Sequence, residues 1–352
     1  MRTIAYLIFT SLMLVLTGCD NLSTNSTNIS GEWLIPKDQI FDGGPGKDGI
    51  PALITPHFAA VSSTSYLNND DLVLIIKVGD EVRIYPHSIL DWHEIINDEI
   101  SGTKFAITYC PLTGTGIAWN RVINGKETTF GVSGLLYNSN LIPYDRATNS
   151  NWSQMKLLSV NGSLLGFVVN TLPLIETSWL TAKQVFPSAK VVTTSTGYSR
   201  SYGTYPYGDY KTNHGLLLFP VSPDDSRLPR KERVLGVIVN NETRAYRFKE
   251  NGLNIDLISD VVGEKSITVI NSKSRNFIAA YQNELEDGSA VSLSPLQNEL
   301  SIIMIDKNGN KYNLFGEVID GPKQGMKLKQ VTTMVAYWFA WGAFYPNTSI
   351  AN

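Results

Sequence analysis

Cysteine is scarce in this chain: 352 residues hold two, Cys19 and Cys110. With Cys19 expected to carry lipid, as argued below, Cys110 is the one thiol left, so an intramolecular disulfide framework is excluded and a Cys-x-x-Cys redox pair or two-sulfur metal clip has no second sulfur to use. Stability has to come from burial. A positive charge excess is missing as well. Lys and Arg number 29 against 32 Asp and Glu, giving a formal net charge of -3 and a pI near 5.9. Such a balance offers no basic face for phosphate neutralisation, and we expect no nucleic-acid partner. What is present is ample core material, since 43% of the residues are hydrophobic and 10% aromatic. The chain is long enough for two modest domains or one large one.

The start of the chain reads as an address. Arg2 supplies a positive charge, Ile4 to Leu16 form a short apolar core, and small residues precede Cys19. This is the layout of a signal peptide rather than of a membrane-spanning helix. Leu16-Thr17-Gly18-Cys19 resembles the bacterial lipobox, which implies removal of residues 1–18, lipid on the Cys19 sulfur and attachment to a membrane. The expected location is the bacterial cell envelope, facing periplasm or exterior, and Asp20 resembles the signal that retains lipoproteins in the inner membrane. Residues 19–40 are expected to be the lipidated cysteine and a flexible tether, given the polar run Asn21 to Ser30.

The remainder compares well with itself. Asp80-Glu-Val-Arg-Ile-Tyr85 is echoed by Asn241-Glu-Thr-Arg-Ala-Tyr246, and Asp98 with Gly102 by Asp260 with Gly263. Trp179 precedes Phe186-Pro187 as Trp338 precedes Tyr345-Pro346. An offset of about 160 at both ends points to an internal duplication. The expected organisation is a first lobe over 41–197 carrying the candidate site, a connection over 198–230, and a second, degenerate lobe over 231–352. Leu72 to Val78 and Glu81 to Tyr85 predict a hairpin around Gly79-Asp80, and Ser88 to Asn97 predicts a helix capped by Ser88. Strands are expected at Lys104 to Tyr109, Gly116 to Asn120, Thr128 to Ser133 and Leu164 to Val169, with a short helix at Ser178 to Val185. Many strands and few helices predict an α+β fold that is predominantly antiparallel β, in two related lobes.

Chemistry concentrates around Cys110. Pro111 forces the cysteine into an extended conformation and ends the strand ladder, so the thiol is expected at a sheet rim. The segments Leu90-Asp-Trp-His-Glu-Ile-Ile-Asn-Asp98, Thr108-Tyr-Cys-Pro-Leu-Thr-Gly-Thr115, Phe130-Gly-Val-Ser-Gly-Leu-Leu136, Asp145-Arg146 and Trp152-Ser-Gln154 resemble the bacterial family called domain of unknown function 3179. The likeness covers almost the whole folded part and implies no function. Where the family often has a second cysteine, this chain has Thr113.

Three readings of the site stay open. On one predicted helix face, His93 and Asn97 lie four apart, with Glu94 beside them and Cys110 at the end of the following strand. Imidazole plus thiolate is the pairing that copper, zinc or iron select, and His87 or Asp145 would complete a mononuclear metal site. Asparagine at 97 breaks the zinc-protease helix motif. Alternatively, the chain is a thiol enzyme in which His93 activates Cys110, with Glu94 adjacent and the amides of Ser133-Gly134 or Thr113-Gly114 holding an oxyanion. The third reading is a ligand-binding or scaffolding protein in which Cys110 is a small core residue. Asp145, Trp152 and Gln154 would line the mouth of a site, or make loop hydrogen bonds. The tyrosines from Tyr198 to Tyr210 would form a ligand platform or pack a domain junction.

Overall fold

The computed structural model describes residues 31–249, 254–297 and 299–351, and is mostly β, in antiparallel-rich sheets with three α-helices among the described residues. Cys19, Asp20 and the signal peptide of 1–18 lie outside the described residues. Residues 31–40, read above as part of the tether, are packed instead. Ile35 and Ile40 are buried, Leu34 N–H donates to Val160 O at 2.9 Å, and Ile40–Asp42 adds an edge strand to Phe130–Tyr137.

In the first lobe, Leu72–Val78 and Glu81–Pro86 form the expected hairpin. Gly79 takes φ 58° in its turn, a conformation that costs glycine little. Val73, Ile75, Ile76 and Ile84 are fully buried, and each such side chain contributes about 1.5–3 kcal/mol. Ile175–Ser178 pairs with the other edge of this hairpin and leads into the helix Trp179–Val185, capped by Ser178 Oγ accepting from Thr181 N–H. The chain then returns as Lys190–Val192, parallel to Glu81–Pro86.

The second lobe has the same connectivity. Arg233–Val239 and Glu242–Arg247 form a hairpin, Thr332–Tyr337 flanks it, the helix Trp338–Phe344 follows, and Ser349–Ile350 returns parallel to the hairpin's second strand. Side-chain bonding matches too. Asp98 accepts from Arg83 Nη1 and from the Tyr85 hydroxyl, each at 2.6 Å, while Asp260 accepts from Arg244 and from the Tyr246 hydroxyl.

Two expectations need correction. The helix runs only from His87 to His93, with Pro86 and not Ser88 at its N-cap, and Asn97 lies on the strand Ile95–Ile100. His93 and Asn97 therefore share no helical face; Ile95 and Ile96 are both fully buried, and strand pairing with Thr103–Cys110 overrides the helical spacing. Leu164 to Val169 is not a strand either, because Gly162 and Gly166 both take positive φ and turn the chain there.

Candidate functional site

Glu94 follows His93 directly, and its φ of 56° and ψ of -34° fall in a region that residues with side chains rarely adopt. This conformation stops the helix and turns the chain into Ile95–Ile100. The Glu94 carbonyl accepts from Tyr109 N–H at 2.7 Å, which fixes it beside the end of the strand Thr103–Cys110. Glu94 and Cys110 consequently line the same cavity, of about 70 Å³, whose other walls include Leu112, Val132, Leu141 and, from distant parts of the chain, Tyr207 and Phe219.

The outer wall is the segment 43–50. Gly43 N–H donates to Gly134 O at 2.7 Å and Asp48 N–H to Val132 O at 2.8 Å, so this segment lies along Phe130–Tyr137. At Gly134, φ 81°, a Cβ would stand 2.8 Å from the Gly46 carbonyl, and the two backbones approach this closely because neither residue has a side chain.

Glu94 is 7% exposed, and no hydrogen bond or ion pair among the described residues reaches its carboxyl. Burial pushes that carboxyl up to about 8. Burial, and then the nearby Glu94, push the Cys110 thiol up to about 11; its Sγ lies 3.5 Å from Ser139 O as a weak donor. At neutral pH both groups are therefore protonated. A carboxylic acid in such a cavity can donate a hydrogen bond or, when a cation enters, ionise against it. The thiol is a poor nucleophile in this state.

The remaining predicted residues sit as follows. His93 does not line this cavity; its Nδ1 lies 2.7 Å from Pro51 O and its Nε2 2.7 Å from the Tyr202 hydroxyl, and burial lowers its pKa. Both ring nitrogens are thus occupied by groups other than Cys110. His87 belongs to the junction between lobes: its Nε2 is 3.2 Å from Glu176, its ring is 4.4 Å from that of Tyr109, and Glu176 also pairs with Arg233 of the second lobe. Burial works against the charged form of Glu176, but Arg233 and His87 outweigh it and hold the carboxyl at about 2.

Asp145 is buried and accepts from Trp152 Nε1 at 3.1 Å and from Thr148 N–H at 2.7 Å, so the pair ties a loop rather than lining a mouth. Asn97 clamps Phe130, donating to its carbonyl at 2.9 Å and accepting from its N–H at 2.8 Å. Thr113 and Gln154 meet at Asn140, whose Nδ2 donates to Thr113 Oγ at 3.0 Å and to Gln154 Oε1 at 2.7 Å. Ser133 accepts from Leu135 N–H at 3.0 Å at a strand irregularity. These are bonds that fix the walls. Among the described residues, no group of three or more His, Cys, Asp or Glu side chains is placed to hold a metal ion, so Cys110, His93, His87 and Asp145 do not form the ligand set expected from sequence.

The segment 198–230 does more than connect. Tyr202 covers His93, the Tyr205 hydroxyl donates to Pro111 O at 3.1 Å, and the buried Lys231 ammonium donates to the carbonyls of Tyr210, Asn213 and Leu216. The tyrosine cluster from Tyr198 to Tyr210 supplies one wall, Tyr207, while sequence reasoning missed Phe219, Gly43 and Pro45 as cavity walls. The glycine density of Gly43-Gly-Pro-Gly46 is the signal of a close backbone approach, but nothing local names its partner.

Fold and cavity together define a mostly β, antiparallel-rich protein with an acid and a thiol on one small cavity. The chain belongs to the family described as protein of unknown function (DUF3179), whose model matches residues 47–348. No curated protein and no solved structure matches it.

Proposed function

We propose that this is a lipid-anchored protein of the bacterial envelope that binds a small ligand non-covalently in the cavity between Glu94 and Cys110. The observation that carries this reading is Glu94, 7% exposed and held in a strained backbone conformation, whose carboxyl opens on an apolar cavity and has no hydrogen bond or ion pair among the described residues. A carboxyl that opens on an apolar cavity without a counter-charge is left for a partner that arrives from outside. Cys110 serves as a neutral lining group. The thiol-enzyme reading loses support because His93 is engaged elsewhere and the thiolate is disfavoured. The metal-centred reading loses support because its ligands are dispersed.

A fragment screen on the mature full chain in detergent, followed by methyl NMR, tests the binding reading. Saturable shifts are expected at the methyls of Leu112, Val132 and Leu141; a screen in which no fragment moves them would refute it. The anchor rests on the Leu16-Thr17-Gly18-Cys19 motif. Cys19→Ser should leave an unprocessed precursor, and normal mature mass with normal membrane fractionation would count against lipidation.

A further inference from the structure

Every other wall residue of the Glu94 cavity among the described residues is apolar, aromatic, glycine or the neutral thiol of Cys110, and no Lys, Arg or His among them lines it. The carboxyl thus faces an apolar space without a counter-ion. Its titratable neighbours are Cys110, on the adjacent strand, and Tyr207, from the connecting segment, and burial keeps both protonated. Ionised alone, Glu94 would be an uncompensated buried charge, which is costly; ionised against an incoming cation it would be paired. Two of the walls, Tyr207 and Phe219, are aromatic, and aromatic faces attract cations electrostatically. A space of about 70 Å³ is about half the volume of a cavity that accommodates benzene, so it holds a group of roughly three or four heavy atoms.

We propose that this cavity takes a short aliphatic primary ammonium group, as a free small amine or as the tip of a longer one, with the Glu94 carboxylate as counter-ion and Tyr207 and Phe219 as walls. The assignment rests on the reading of the cavity as a binding site and adds the class of ligand. The proton balance is fixed: the free protein carries Glu94 as the acid, the amine arrives as the cation, and binding leaves a carboxylate–ammonium pair while one proton passes to solvent. No bond to carbon is made or broken. Affinity therefore rises with pH for as long as free Glu94 is protonated.

The test is calorimetric titration of the mature full chain in detergent with ethylammonium chloride, at pH 6.5 and 7.5, in two buffers of different ionisation heat. About one proton should be released per ligand bound, and affinity should rise about tenfold over that pH unit. Glu94→Gln, which keeps the shape and removes the charge, should weaken binding by at least about tenfold. Proton release is read on the unmodified protein and does not depend on that variant folding. Butane-1,4-diammonium binding more tightly than ethylammonium would identify the tip of a longer amine, and the reverse order a free small amine. Acetamide or acetate binding in place of the amines would overturn the ammonium assignment and leave the binding site standing. Saturable binding by none of these probes, with no fragment moving the cavity methyls, would overturn both.

Discussion

Glu94 carries two local costs, a positive φ of the kind worth about 1–3 kcal/mol and a desolvated carboxyl with no partner among the described residues. The second has a pH signature. Burial raises the group from its ordinary 4.5 to about 8, so between these values the unfolded chain releases a proton that the folded chain keeps. Its contribution to stability is full below the unfolded value and is lost as pH rises through the folded one, by up to about 1.4 kcal/mol per pH unit. Denaturant titrations from pH 5 to 8 should show this loss in the wild type and a flatter profile in Glu94→Gln. Parallel profiles would mean that Glu94 is solvated or paired. The sequence placed Glu94 and Cys110 in one candidate group but not His93's departure from it. Neighbouring residues on a chain point in different directions once a single φ changes sign, and that sign was set by how Ile95 and Ile96 pack.

Among elements, the Leu72–Pro86 hairpin and the short helix at Trp179–Val185 were legible because their patterns are local, the hairpin's being β-branched runs around a glycine turn. The cavity walls were not, since Tyr207 and Phe219 reach Cys110 across about a hundred residues of sequence. Side-chain size is also traded between equivalent elements. Ile75 and Ala182 of the first lobe belong to one core cluster, while the corresponding positions of the second lobe hold Gly236 and Trp341, the indole lying directly against the glycine. This exchange of bulk supports the reading of two related units. It also predicts that Gly236→Ala, whose Cβ would overlap the Trp341 ring, should cost about 1–3 kcal/mol by overpacking, whereas Ala added at solvent-facing Gly79 meets no atom within 4 Å and pays only backbone strain. Equal melting temperatures for Gly236→Ala and wild type would show that Trp341 moves aside freely.

At the scale of the molecule, the lobes share one interior. Cys110, Trp119 and Trp152 of the first lobe occupy the same core cluster as Trp338, Phe339 and Trp341 of the second. Tyr337 N–H donates to Thr113 O at 2.8 Å, and Arg233 pairs with the buried Glu176 across the junction. Residues 31–196 expressed alone should therefore expose a large apolar face and fail to melt cooperatively. A monomeric fragment with a sharp thermal transition would establish the lobes as independent modules.

The outer wall of the cavity, 43–50, follows in sequence directly on residues 31–42, which are bound to the fold through Leu34, Ile35 and the strand Ile40–Asp42. With lipid on Cys19 as proposed, the eleven residues 20–30 separate the anchor from Gly31, a reach of at most about 40 Å. The binding cavity would then patrol only a thin layer above the bilayer. What matters to its occupancy would be the concentration of ligand in that layer, at the membrane surface, rather than in the bulk of the compartment.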